Sequence, residues 1–245
     1  MPGQLVDNPA ALEFMDQVLA VVSREELAEI AEAVQIKSRA MRAVVGDEPA
    51  RLDSAALREL LSWVFCARRH VDKVLAVVSP EELAAGIDNL LNGPDLLADR
   101  FNAFQEMLAA LPDVAADLPG ELLHFLDPDR YWLWTRWIWD PVPDTGALRL
   151  VLSEDIDLEA PTAGETYVGM GSAMAMLEEN GKAAGFTSMG RGLFGTDVFL
   201  AAVYGTYMYT ILQMRMSQEF TKVMPPLPGL VRRLLGVHVT PARRS

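Results

Sequence analysis

A thiol and an imidazole lie four residues apart at Cys66 and His70, a spacing that places both side chains on one face of a helix. A thiol beside an imidazole is the minimal arrangement for an activated nucleophile. The segment offers no third orienting group and no strained turn, so we interpret both residues as structural. With one cysteine and three histidines, the chain carries neither a disulfide framework nor a zinc-binding spacing. The glycine motifs that bind phosphates are missing too. We therefore predict no metal and no cofactor.

A second polar group precedes a tryptophan-rich segment. His124, Asp127, Asp129 and Arg130 lie within seven residues, and a histidine near carboxylates is what general acid–base catalysis requires. Helix capping and helix-dipole interactions account for both aspartates without catalysis. We therefore predict no catalytic residue here and keep His124 and Arg130 as candidate ligand or partner contacts.

Four of the five tryptophans fall within residues 132–139. The pair Asp127-Pro128 is typical of a helix start and predicts a helix that ends near residue 140. This helix would carry aromatic rings on two sides, so it is either buried or half exposed to a partner, ligand or lipid. Because tryptophan is enriched at binding hot spots, a contact surface is one interpretation, and a plain aromatic core is the other. The candidate contact residues are Trp132, Trp134, Arg136, Trp137 and Trp139.

The charge distribution gives a second candidate surface. The chain has 34 acidic and 21 basic residues, a formal net charge of -13 that opposes binding to nucleic acid. Residues 214–245 reverse this balance, with six bases against one acid. A basic tail suits docking on an acidic protein or an anionic lipid surface, and solvated arginines at a helical end are the alternative. The candidate docking residues are Arg215, Lys222, Arg232 and Arg233.

These candidate sites depend on helices, which the first half of the chain predicts throughout. Ser23 and Ser79 each precede a glutamate by three residues, the capping-box pattern of a helix start. The two serines lie in a longer self-match, in which ten of eleven residues agree between 18–28 and 74–84. We interpret this match as a duplicated helix–corner–helix element, and chance convergence on good caps is the alternative.

An apolar seam between the two copies predicts one long helix over 53–78. Arg68 interrupts the seam. An arginine there can pair with a buried acid or bind a ligand carboxylate, but a side chain that reaches solvent along the seam's edge is commoner.

The second half of the chain contains the only strand signals and a long uncharged run. Residues 147–158 allow one small β-hairpin. Residues 198–214 carry no formal charge and reach the lower limit of a membrane-spanning length. Three tyrosines lie inside this run, away from the interfacial positions that tyrosine prefers. We therefore favour a buried helix over a membrane span.

Together these patterns predict an all-α, bundle-like fold with two helical lobes, 1–126 and 127–245. The leading functional hypothesis is a non-enzymatic accessory or interaction protein that docks on a protein partner through the Trp-rich helix and the basic tail. The alternative is a protein that binds or transforms an apolar or aromatic ligand between that helix and the C-terminal helices. The sequence does not decide whether the chain forms a homo-oligomer. The N-terminal residues lack a basic signal-peptide region, so we expect a cytoplasmic protein, with peripheral membrane association as an alternative.

Overall fold

The described part of the chain is all-α, as the sequence predicts. The computed structural model describes residues 6–153, 156–158, 160–184, 194–215 and 225–237, and only the backbone for 180–184 and 212–215. Two short 3-10 helices, Pro49–Arg51 and Leu148–Leu150, accompany ten α-helices in this part. In chain order these are α1 Asn8–Leu19, α2 Arg24–Val45, α3 Ser54–Trp63, α4 Val71–Val77, α5 Pro80–Asn92, α6 Leu97–Met107, α7 Pro112–Leu126, α8 Ala163–Ala184, α9 Gly195–Arg215 and α10 Leu227–Leu234.

Both predicted serine caps begin helices, α2 and α5. Ser23 and Ser79 have the same extended backbone conformation, with φ and ψ of -75° and 156° at one and -63° and 152° at the other. Each hydroxyl oxygen accepts a hydrogen bond from the backbone N–H three residues later. At Ser79 the Glu82 carboxylate also accepts from the serine N–H, so the capping box is complete there. Both corners therefore begin their second helix with a serine cap, and only the corner at Ser79 has the complete capping box.

The single long helix predicted over 53–78 is wrong. α3 ends at Trp63, and α4 begins only at Val71. Between them lies a segment that we call the 64–70 turn. The backbone N–H groups of Phe65 and Cys66 donate to the buried carboxylate of Glu121, at 3.1 and 3.2 Å. The helix is interrupted because these tertiary hydrogen bonds replace the helical ones.

The small hairpin predicted near 147–158 is absent from the described residues of that segment. Leu148–Leu150 is a 3-10 helix instead. Leu152 forms an isolated antiparallel bridge with Val6, and the N–H of Asp7 donates to the carbonyl of Val151 at 2.9 Å. The backbone of this segment therefore forms local turns and one contact with the N-terminal region instead of pairing as two strands.

The helix predicted over 128–140 is also wrong, because the chain is irregular between α7 and Leu148. The segment lies against α7 at Gly120, where an added Cβ would collide with the backbone carbonyl of Trp134. The backbone N–H of Arg136 donates to the carboxylate of Asp117 at 2.9 Å. Close backbone packing on α7 thus replaces the local hydrogen bonds of a helix.

α9 is buried where it begins. Six consecutive residues, Val198 to Val203, have no solvent exposure, and the helix packs against α1, α2 and α10. Among the described residues, none of the helices has the length and apolarity needed to cross a bilayer. The packing therefore favours burial of the first part of this helix, while the described side chains from 204 to 211, Gly205 apart, are half-buried or exposed.

The hydrophobic core is continuous across residue 126, the predicted boundary between the lobes. α6 packs on α8, and α2 packs on α9. The two-lobe division stays a prediction, because a shared core does not decide which segments fold as a unit.

Candidate functional site

A groove of about 820 Å³ lies between the 64–70 turn, α7 and α10. We call it the arginine groove. Its lining includes four arginines, Arg68, Arg69, Arg136 and Arg233. Cys66 and His70 also line it, together with two aspartates of α7 and apolar side chains. Four arginines and two aspartates leave a formal charge of +2 in the groove, although the whole chain carries -13.

The 64–70 turn is attached to the core through Glu121. This α7 side chain is 3% exposed, and its carboxylate accepts the two backbone N–H groups of Phe65 and Cys66. Hydrogen bonds to a charged acceptor are stronger than those between neutral groups. The turn that carries Arg68 and Arg69 is therefore held in one conformation.

The α10 side of the groove is attached to the same carboxylate through Lys37. The Lys37 ammonium on α2 is fully buried, and it donates to Glu121 at 3.3 Å and to the carbonyl of Leu235 at 3.1 Å. It also lies 3.7 Å from the ring centroid of Phe125. Burial lowers the pKa of Lys37, and the Glu121 carboxylate opposes that shift. Two walls of the groove thus share one buried ion pair.

Three of the groove's arginines have no acidic partner among the described residues. Arg68 and Arg69 project from the 64–70 turn, and Arg233 projects from α10. The Arg68 guanidinium lies 4.9 Å from the ring centroid of Phe65. Partial burial and the positive charges of Arg69 and Arg233 lower the pKa of Arg68. The Arg68 guanidinium is therefore repelled by both Arg69 and Arg233.

The fourth arginine is neutralised by α7. The Arg136 guanidinium donates to Asp117 at 3.1 Å and to Asp113 at 2.9 Å. These hydrogen bonds raise the pKa of Arg136, with the bond to Asp117 contributing most. The Asp113 side chain is 85% exposed. The groove is therefore bipolar, with three free guanidinium groups on one side and an excess of carboxylate on the other.

Cys66 and His70 share this groove without forming a catalytic pair, since no hydrogen bond joins these two described residues. Burial and the nearby Glu121 carboxylate raise the pKa of the Cys66 thiol well above its ordinary value. A nucleophilic cysteine needs the opposite shift, toward the thiolate. The structural interpretation of Cys66 is thus the better one.

His124 lies in the core, outside the arginine groove. Its Nδ1 is 2.8 Å from the carbonyl oxygen of Tyr131, and its Nε2 is 2.7 Å from a carboxylate oxygen of Asp197 on α9. Since a carbonyl only accepts, Nδ1 carries a proton. Burial lowers the pKa of His124, but Asp197 and Tyr131 more than offset burial and raise it. Both ring nitrogens are engaged in these buried hydrogen bonds, so neither is positioned to act on a ligand.

Three of the four clustered tryptophans are buried core residues. Trp134, Trp137 and Trp139 are 5%, 8% and 1% exposed, and Trp132 is half-buried. The Trp134 indole donates to the carbonyl of Trp139 at 2.9 Å, and its ring stacks on Phe101. The arginine groove contains none of these tryptophans. This chain itself covers most of the aromatic surface for which the sequence predicts a contact role.

The remaining predicted contacts are dispersed. Arg130 pairs with Asp127 at 3.3 Å and lines a separate pocket of about 360 Å³. Arg232 lies 3.7 Å from Glu29. The side chains of Arg215 and Lys222 lie outside the described residues. Of the predicted site residues whose side chains the structure describes, only Arg136 and Arg233 line the arginine groove.

Sequence reasoning did not identify Lys37, Arg69 or Glu121. Lys37 falls on the buried face of α2, among residues such as Val34 and Met41. Glu121 is the only acid between residues 118 and 126, which are otherwise mostly apolar. A lone charge at a core position of a helix is the signal that would have found both, because such a charge needs a buried partner.

Within the described residues no group of three or more His, Cys, Asp or Glu side chains is arranged to hold a metal ion. Comparison of the chain with protein-family models, with curated proteins and with solved structures finds no match. The arginine groove is therefore interpreted from its own chemistry.

Proposed function

We propose that this protein is a non-enzymatic accessory protein that docks on an acidic surface of a larger protein partner through the arginine groove. The observation that carries the proposal is that Arg68, Arg69 and Arg233 line one groove without an acidic partner among the described residues. A guanidinium group pairs with a carboxylate through two parallel hydrogen bonds, which makes arginine well suited to this recognition.

The net charge of the chain supports a protein partner over nucleic acid. A charge of -13 repels a phosphate backbone at long range. The groove's local charge of +2 acts only at short range, because salt screens exposed charges beyond about 8–10 Å. A short acidic segment in the groove is therefore attracted by the nearby arginines, while salt screens its repulsion by the acidic residues elsewhere on the chain.

This proposal changes the role of the Trp-rich segment. Arg136 lies two residues after Trp134 and contributes to the groove wall. The rings of Trp134 and Trp139 are buried in the core. The segment then supports the docking surface instead of forming it. The alternative of an apolar ligand beside these tryptophans has less support, because the rings stack on one another and on Phe101.

Fluorescence anisotropy with a labelled peptide of Asp and Gly tests the proposal. We expect wild-type protein to bind the peptide, and the double variant Arg68→Ala/Arg233→Ala to bind it at least about tenfold more weakly, since each charged hydrogen bond contributes about 1.5–3 kcal/mol. The matched control is Arg24→Ala/Arg39→Ala, which removes the same charge from exposed sites on α2. If both double variants lose the same affinity for the peptide, binding depends on net charge, and the arginine groove is not the docking site. Binding to phosphatidylserine vesicles without binding to the peptide would replace the protein partner by a membrane surface.

A further inference from the structure

We infer, resting on the proposed function, that the group bound in the arginine groove is a phosphorylated side chain of the protein partner. Arg68 and Arg69 approach the groove from the 64–70 turn, and Arg233 approaches it from α10. A carboxylate carries one negative charge and two oxygens. A phosphoryl monoester carries a charge of about -1.5 to -2 and three acceptor oxygens, so it can bond to guanidinium groups from both sides.

The acidic wall of the groove favours a compact dianion over a run of carboxylates. Asp113 and Asp117 together exceed the charge of Arg136 by one. A long acidic segment that filled the groove would bring carboxylates next to exposed Asp113, where like charges repel. One phosphoryl group concentrates its charge at the three free arginines and leaves the acidic wall open. A lysine or arginine close to the phosphorylated residue in the partner would then face Asp113.

The groove is also organised before any ligand arrives. The Glu121 carboxylate holds the 64–70 turn by two backbone hydrogen bonds, and Lys37 holds the carbonyl of Leu235 at the end of α10. The Arg68 guanidinium is placed over the ring of Phe65. Binding therefore requires little ordering of backbone, and guanidinium groups that repel one another in the free protein gain a common counter-charge.

Three labelled peptides of Gly, Asp and one Lys test this inference on the full chain. They differ only at a central position, which is phosphoserine, serine or aspartate. We expect the phosphoserine peptide to bind about tenfold or more tightly than the aspartate peptide, because it forms additional charge-assisted hydrogen bonds. Arg68→Lys keeps the charge and loses the planar fork, so it should lose most of this preference. The control variant Arg24→Ala/Arg39→Ala should keep the preference in full, and circular dichroism checks that each variant is folded.

The outcomes separate the two proposals. Equal affinity for the phosphoserine and aspartate peptides would overturn the phosphorylated ligand and leave docking on an acidic partner standing. Failure of all three peptides to bind would overturn both proposals. Free phosphoserine that binds as tightly as the phosphopeptide would overturn the protein as its source, because a docking surface gains affinity from the flanking residues.

Discussion

The Nζ atom of Lys37 lies 3.3 Å from Oε2 of Glu121, and neither side chain is more than 3% exposed. This buried pair connects three parts of the chain. Lys37 belongs to α2 and holds the end of α10 through Leu235, while Glu121 belongs to α7 and holds the 64–70 turn. The spacing between Arg68 and Arg233 across the groove therefore depends on one ion pair in the core.

Removal of the carboxylate should destabilise the fold strongly. Glu121→Leu leaves the Lys37 ammonium buried without its counter-charge, and loss of one partner of a buried pair costs about 3–5 kcal/mol. Urea denaturation of wild type and variant measures this loss. The double variant Lys37→Met/Glu121→Leu should lose less than the two single variants together, since it removes both charges. Additive losses would mean that the two groups do not interact.

Gly236 should resist substitution because it contacts the same pair. Its φ of +69° is a backbone conformation that residues other than glycine rarely adopt. An added Cβ would lie 2.8 Å from Nζ of Lys37. Gly236→Ala should lower the free energy of unfolding by at least about 1–2 kcal/mol, the cost of the left-handed conformation alone. Gly229→Ala in α10 is the matched control, since its Cβ meets only ordinary contacts and alanine favours a helix. If both substitutions shift the urea midpoint equally, neither the left-handed conformation nor the contact with Lys37 constrains this position.

The buried pair of His124 and Asp197 should make stability fall as pH rises. Asp197 and the Tyr131 carbonyl offset burial and raise the native pKa of His124, so the native state holds this proton more tightly than the unfolded state. The stabilisation is complete below the unfolded pKa of about 6.5 and disappears as pH passes through the higher native value. Urea unfolding between pH 6 and pH 9 measures the decrease.

His124→Gln provides the reference for this pH series, because glutamine does not titrate. Lys37, whose pKa is lowered by burial, is present in both proteins and contributes to both curves. The difference between the two curves therefore reports the His124–Asp197 pair. Parallel curves for wild type and variant would show that the native and unfolded states bind this proton equally.

Local chemistry was sufficient to predict the starts of α2 and α5. Ser23 and Ser79 cap their helices with their own hydroxyl groups, and the Glu82 carboxylate completes the capping box at Ser79, so the determining contacts lie within one turn. The caps depend on neighbours in the chain, so the amino-acid order is enough to predict them. The helix at 198–214 was also predicted, but its burial reaches only Val203 and Gly205, and the described side chains beyond are half-buried or exposed.

Tertiary packing alone decided the Trp-rich segment and the groove. Helical spacing predicts a helix at 128–140, but contact with Gly120 and the hydrogen bond from Arg136 to Asp117 favour an irregular backbone. The long helix over 53–78 is interrupted for a similar reason, since Glu121 accepts the N–H groups of Phe65 and Cys66. A partner 55 residues away competes successfully with local hydrogen bonds when it is a buried carboxylate that must be satisfied. Arg68 and Arg233 line one groove because Lys37 and Glu121 pair in the core, and no local spacing encodes that pairing.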